Sequence, residues 1–194
     1  MDFPIFETER LHLNNVEEED MTAFFDIMSR EEVISYYGMD ALVHPEEAVE
    51  IIRSFHTNFN FKRGMRWAIR SKETNEFIGT IGLNNLNLRA KKAEIGYELH
   101  PDYWRQGLMQ EAIIAVLRYA FAELDLYRIG AVTFPENTSS NQLLEKLGFT
   151  LEGRLRGYLY QRNHSYDAFV FSLLKTEWPE WDRATANSKE EGEA

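Results

Sequence analysis

From Glu9 to Val16 the chain alternates apolar and polar positions, with Leu11 and Leu13 on one side, which predicts a strand. The period then changes. Met21, Phe24, Phe25 and Met28 recur at helical spacing, and Glu17, Glu18, Glu19 and Asp20 put negative charge at the positive end of that helix. The acidic run therefore reads as helix-start electrostatics and not as a metal site. VISYYGMDALVHP follows as a connection whose Tyr36, Tyr37 and Met39 either tuck against the core or wall a groove. Pro45, Glu46 and Glu47 open a second helix to about Phe61, with Ala48, Ile51, Ile52, Phe55 and Phe59 as its apolar stripe and Gly64 beyond its end.

MRWAIRS and EFIGTIGLNNLN, separated by the turn-rich KETN, read as an antiparallel hairpin. A further strand, Ala93 to His100, leads into a long helix whose Ile113, Val116, Leu117, Ala120, Phe121 and Leu124 share one face. YRIGAVTF, bounded by Pro135, is β-rich again, and strand, helix, strand in this order implies parallel pairing through a crossover. TSSNQLLEKLGF forms a short helix with Leu143, Leu144 and Leu147 inward and Gly148 closing it, and LEGRLRGYLYQRNHSYDAFVFSLLK reads as two antiparallel strands turning near Asn163 to Ser165. The layout is α/β with a mixed sheet and no internal repeat. One domain, residues 1–181, is expected; residues 182–194 are polar and acidic and are expected to be disordered.

With 194 residues and 44% hydrophobic content the chain can bury one substantial core. It contains no cysteine, which excludes disulfides, thiolate metal sites and cysteine nucleophiles. The N-terminus MDFPIFETER lacks a signal-peptide core and no apolar run is long enough to cross a bilayer, so a cytoplasmic protein without membrane partners is expected. A net charge of -11 argues against general nucleic-acid binding and would suit a cationic substrate or simple solubility. His12, His44, His56, His100 and His164 are scattered, with no helical pair at ligand spacing, so no metal site is expected.

The chemistry concentrates in HPDYWRQGLMQEAIIAVLRYAF, where a strand ends and a helix opens on Gly107. A helix start leaves backbone N–H groups without partners and carries positive potential, which favours an anion. The amides of Arg105, Gln106, Gly107, Leu108, Met109 and Gln110 would line such a site, Gly107 permitting close approach and Arg105 adding charge. A lone glycine at a helix start is structural in most proteins, so the loop alone does not name a ligand.

In context, AEIGYELHPDYWRQGLMQEA resembles the pyrophosphate arm of the GNAT acetyltransferases, pattern Q/R-x-x-G-x-G/A, and fits the RimJ/RimL-like branch best. Trp104 stands at the Q/R position and Met109 at the last small position, both usual in that branch, and Arg105 replaces its commoner glycine. The resemblance extends from TERLHL through EFIGTIGL to ENTSSNQLLEKLGF and YDAFVFSLLKTEW. It implies a single GNAT domain with a mostly antiparallel mixed sheet of about six to seven strands, splayed at the centre, with helices on both faces. It also implies acetyl-CoA as co-substrate and a primary amine as acceptor, a peptide or protein N-terminal α-amine ahead of a small-molecule amine. A catalytically idle CoA-binding module is the competing reading, and a homodimer is left open.

The same resemblance assigns roles. The backbone around Glu98 and Leu99 would pair with pantetheine, Asn137 would contact the cofactor's amide-rich arm with support from Asn141, and Ser140 would protonate the leaving thiolate. Read from residue types alone, Asn137, Thr138, Ser139 and Ser140 can each cap the helix that follows. Glu94 and Glu98 lie four apart on one strand and so share a face; Glu94 matches the glutamate that is the base in some family members. Where other members carry a later glutamate, this chain has Leu159, and for an α-amine, titrating near pH ~8, water could accept the proton.

Overall fold

Alternation in the chain becomes one eight-stranded sheet in the computed structural model, which describes residues 2–178. In spatial order it runs β1 (Phe6–Glu7), β2 (Leu11–Asn15), β3 (Met65–Ser71), β4 (Phe77–Asn87), β5 (Lys92–Leu99), β6 (Arg128–Thr133), β8 (His164–Leu174) and β7 (Thr150–Gln161). The strand beyond the six or seven expected is β1, two residues long and too short for any periodicity to reveal. The expected disorder of 182–194 lies outside the described residues.

Helix α1 (Met21–Met28) and helix α3 (Pro45–Asn60) cover one face, and a four-residue helix α2 (Glu31–Ile34), which no period announced, lies between them in the chain. Val16, Phe24, Ile27, Ile52 and Ala68 form that layer's core. The opposite face takes helix α4 (Leu108–Ala122), and there Leu13, Trp67, Ile69, Ile81, Val116 and Leu117 pack together. Trp67, Ala68 and Ile69 are consecutive, so their division between the two cores is the strand's own two-residue alternation. Pro45 at the first position of α3 fits its fixed φ, and the Glu47 carboxylate accepts from the backbone N–H groups of Val43 at 2.8 Å and His44 at 2.7 Å, capping the free helix end.

Every neighbouring pair of strands is antiparallel except β5 and β6. Those two pair in parallel only through Lys92, Ala93 and Glu94 with Arg128, Ile129 and Gly130. Beyond Glu94 and Gly130 the ladder stops, although β5 runs on to Leu99 and β6 to Thr133. The sheet therefore opens as a wedge at its centre, bounded by α4 after one strand and by helix α5 (Thr138–Lys146) after the other.

Candidate active site

The backbone on the β5 side of the wedge has a definite parity. His100 N–H donates to Ile78 O on β4, while Lys91 O accepts from Tyr127 and Arg128 on the β6 side, so even-numbered residues face β4 and odd-numbered ones face the gap. Leu99 thus offers its main chain to the gap, and so does Tyr97; the main chain of Glu98 is turned to β4. The Leu99 carbonyl is taken by the indole N–H of Trp104 at 2.7 Å, leaving the Leu99 N–H and both backbone groups of Tyr97 along the open edge.

Gly107 ends this segment as the N-cap of α4 at φ 77, in the left-handed region that costs a glycine little. Helical bonding begins with Glu111 N–H to Gly107 O, which leaves the N–H groups of Leu108, Met109 and Gln110 free of the helix ladder. Arg105 is also left-handed, at φ 60, and is exposed beside them, as is Gln106, whose side chain donates to Asp102 O. Leu108 turns its side chain into the core and Met109 packs against it.

The loop is clamped from outside. Arg10 donates through Nη1 to Gln106 O at 2.9 Å and through Nε to Glu111 Oε2 at 2.8 Å, while Glu111 Oε1 accepts from Arg10 N at 2.8 Å and from Thr8 Oγ1 at 2.5 Å. Burial acts to raise the Glu111 pKa, but the hydrogen bonds from Thr8 and Arg10 and the Arg10 charge outweigh it and hold the group below 4.5. A depressed carboxylate pKa stabilises the fold above 4.5 and loses that contribution as pH falls below it. Glu111→Gln should therefore melt lower than wild type at pH 7 by about 2–4 °C, for a partly solvent-screened interaction of about 1 kcal/mol. That difference should narrow as melting is followed to progressively lower pH below 4.5.

On the other side of the wedge, α5 is capped by Asn137, whose Oδ1 accepts from Ser140 N–H at 3.2 Å. The cap is thus Asn137, and the Ser140 hydroxyl is free for another partner. It lies 2.8 Å from the hydroxyl of Tyr97, a hydrogen bond in which either can donate and which joins β5 to α5 across the gap. Burial pushes the Tyr97 phenol up to about 12, only partly offset by Ser140, so it stays protonated at any ordinary pH. Asn141 is buried and fully engaged: its Oδ1 accepts from Thr133 Oγ1 at 2.6 Å and its Nδ2 donates to Phe134 O and Pro135 O. It holds the turn between β6 and α5.

Glu94 and Glu98 do share a face, opposite to Tyr97, yet their surroundings differ. Glu98 is buried and accepts from Thr80 Oγ1 and from Tyr37 OH at 2.7 Å, with Arg66 Nη1 3.8 Å away. Arg66 also donates to Gly96 O and to Tyr37 OH. Gly82 makes room for that side chain, since a Cβ there would stand 2.5 Å from Met65 O, 2.9 Å from Arg66 Cδ and 3.1 Å from Arg66 Nε. Burial raises the Tyr37 pKa, and the phenol stays neutral in this cluster. Glu94 is half-buried, accepts from Asn85 Nδ2 at 2.9 Å and lies against Gly130, where the β5–β6 ladder closes.

Comparison with known proteins supplies the family. Residues 10–150 match the model of the acetyltransferase (GNAT) domain. The chain belongs to the GNAT acetyltransferases. It is 45% identical over 173 residues to the uncharacterized N-acetyltransferase YoaA of Bacillus subtilis, covering 89% of this chain and 98% of that one. It is 32% identical over 104 residues to the uS5-alanine N-acetyltransferase of Escherichia coli, covering 53% of this chain and 54% of that one. The solved RimL structure, an alpha-N-protein acetyltransferase of ribosomal L7/L12 in complex with coenzyme A, superposes with a TM-score of 0.79 at 19% identity, covering 88% of this chain and 98% of that one. The chain is thus a GNAT N-acetyltransferase with RimJ/RimL-like relatives, and enzymes of this family use acetyl-CoA.

Among the described residues no cluster of histidine and carboxylate side chains could hold a metal ion, and no helix is long and apolar enough to cross a membrane. Sequence reasoning missed Tyr97, the Arg10–Glu111 clamp and the Tyr37–Arg66 contacts of Glu98. For Tyr97 a signal existed, because alternation in AEIGYEL sets it on the face opposite to the two glutamates.

Proposed function

We propose that this N-acetyltransferase acts on the α-amine of a peptide or protein N-terminus by direct attack on acetyl-CoA held in the wedge between β5 and β6. The observation that carries this is the wedge itself: a parallel ladder that ends at Glu94 and Gly130, with free helix-start amides at one mouth and the Tyr97–Ser140 hydroxyl pair across it. Pyrophosphate would sit on the amides of Leu108 to Gln110 beside Arg105, and pantetheine along the open groups of Tyr97 and Leu99, with the Leu99 N–H polarising the thioester carbonyl. Asn137 retains its side-chain NH2 for that arm.

In the reaction the amine nitrogen forms a bond to the thioester carbon and the carbon–sulfur bond breaks. The amine releases one proton and the thiolate gains one. Ser140 gives its proton to the departing sulfur and takes one back from water, which restores the serine and balances the proton that the amine releases, while Tyr97, held neutral, donates a hydrogen bond to Ser140 Oγ and so directs the serine proton into the gap. An α-amine titrates near pH ~8, so water takes its proton, and Glu94, which among the described residues accepts a single hydrogen bond, from Asn85, is the carboxylate on that face with acceptor capacity left to collect it, Glu98 being engaged by Tyr37, Thr80 and Arg66.

Release of free CoA thiol should be measured with acetyl-CoA and matched acceptors: unblocked peptides, the same peptides with acetylated N-termini, and small monoamines. Unblocked peptides should be acetylated at the N-terminus with the highest kcat/KM. Acetylation confined to monoamines would overturn the acceptor assignment, and the absence of turnover with acetyl-CoA still bound would favour an idle CoA-binding module.

A further inference from the structure

A cavity of about 370 Å3 opens beside the wedge, walled by Tyr36, Phe134, Glu136, Gln161, Arg162 and Tyr166. Its volume falls in the range of small-ligand pockets, roughly 300–1,000 Å3. Three rings form a continuous wall, with centroids of Tyr36 and Phe134 5.9 Å apart and those of Phe134 and Tyr166 5.4 Å apart. Gln161 is buried, and both protons of its side-chain amide have acceptors: Nε2 donates to Ile34 O at 2.9 Å and to Met39 O at 2.7 Å. Two carbonyl partners fix the amide orientation and leave the Gln161 carbonyl oxygen without a partner among the described residues.

The one cation in the lining is already neutralised. Arg162 pairs through Nη2 with Glu31, and its backbone N–H donates to Asp40 Oδ1 at 2.9 Å. Glu136, by contrast, is exposed and makes no ion pair among the described residues. The lining is therefore rich in electron-donating groups: three aromatic rings, the Gln161 amide and the Glu136 carboxylate. Such a lining attracts an organic cation.

Its position ties it to the acceptor side. Tyr36 precedes Tyr37, whose hydroxyl holds Glu98, and Glu136 precedes Asn137, the cap that presents Ser140. We propose that this cavity is a cation subsite, which holds an alkylammonium or guanidinium group that the acceptor carries alongside the amine to be acetylated. The assignment rests on the transferase reading for its place in the reaction, but not for its ligand chemistry. A basic side chain next to a peptide N-terminus and a diamine both supply that group.

Two matched pairs separate these sources: 1,5-diaminopentane against n-pentylamine, and a peptide with lysine at its second position against the same peptide with alanine. Each is measured by calorimetric binding to the CoA-loaded protein and by kcat/KM, the diamine corrected for its two equivalent amines. The cationic member of at least one pair should win by about tenfold, the scale of a desolvated cation–π contact, and the winning pair names the source. In Glu136→Gln and in Tyr36→Leu, both at exposed positions, that ratio should fall to about twofold or less. Equal binding within both pairs, or a preference that survives both substitutions, overturns the subsite. If no amine is acetylated yet the binding preference stands and falls with Glu136 and Tyr36, the subsite holds and the transferase reading alone fails.

Discussion

Gly107→Val is expected to weaken acetyl-CoA binding by at least about tenfold while the protein still folds. The backbone at this position has φ 77, and holding an L residue there costs about 1–2 kcal/mol, more for a β-branched one. Inside the protein there is space, since an added Cβ would meet only Arg10 Nη2, at 3.5 Å. The damage falls on the ligand side. Either valine keeps the left-handed turn and sets its methyl groups where the pyrophosphate must approach, or the turn relaxes and re-aims the N–H groups of Leu108, Met109 and Gln110. Calorimetric titration with acetyl-CoA, beside a melting curve, checks this; wild-type affinity in a folded variant would remove the loop from the binding site.

How much of this was legible in the chain follows from the range of the interactions. Strand and helix periods, Pro45 at a helix start and Gly107 at another are local signals, and each stands where its residues put it. The wedge follows from strand, helix, strand order plus the resemblance, but nothing local in the chain marks Glu94 and Gly130 as the last paired residues. Ser140 illustrates the limit. Four successive residues could cap α5, and only the geometry shows that Asn137 does so and that the Ser140 hydroxyl turns to Tyr97, 43 positions away. Arg66, Tyr37 and Glu98 come from three separate segments, as do the walls of the aromatic cavity, and no period in the sequence links them.

The parity of β5 gives one strand two tasks. Tyr97 packs toward α4 and α5 with its hydroxyl on Ser140, while Glu94 and Glu98 project to the face covered by α1 and α3. A thioester lying along the open edge between them would have its sulfur toward the hydroxyl pair and its carbonyl carbon open from the glutamate face. Leaving group and incoming amine are thereby separated, as tetrahedral geometry at that carbon requires. Removing Tyr37 from Glu98 would disturb the glutamate face, where the proposed acceptor enters, without touching the hydroxyl pair.

Ser140→Ala should lower kcat by about 10²-fold, the lower end of what a positioned proton donor contributes, with little change in acetyl-CoA affinity. The reason is that its bond to sulfur strengthens only as negative charge develops there, whereas bound thioester sulfur is a poor acceptor. The fold should tolerate the change, because the Ser140 N–H that Asn137 caps is a backbone group and alanine retains it. Tyr97→Phe provides the second arm: the serine stays but loses the partner that orients it, so kcat should fall by about tenfold, and the double variant should be no slower than Ser140→Ala alone. Single-turnover rates of acetyl transfer, with melting curves for all three variants, decide the matter. If Ser140→Ala turned over at the wild-type rate per folded molecule, or if the two losses simply multiplied, the hydroxyl pair would not act as one unit on the departing thiolate.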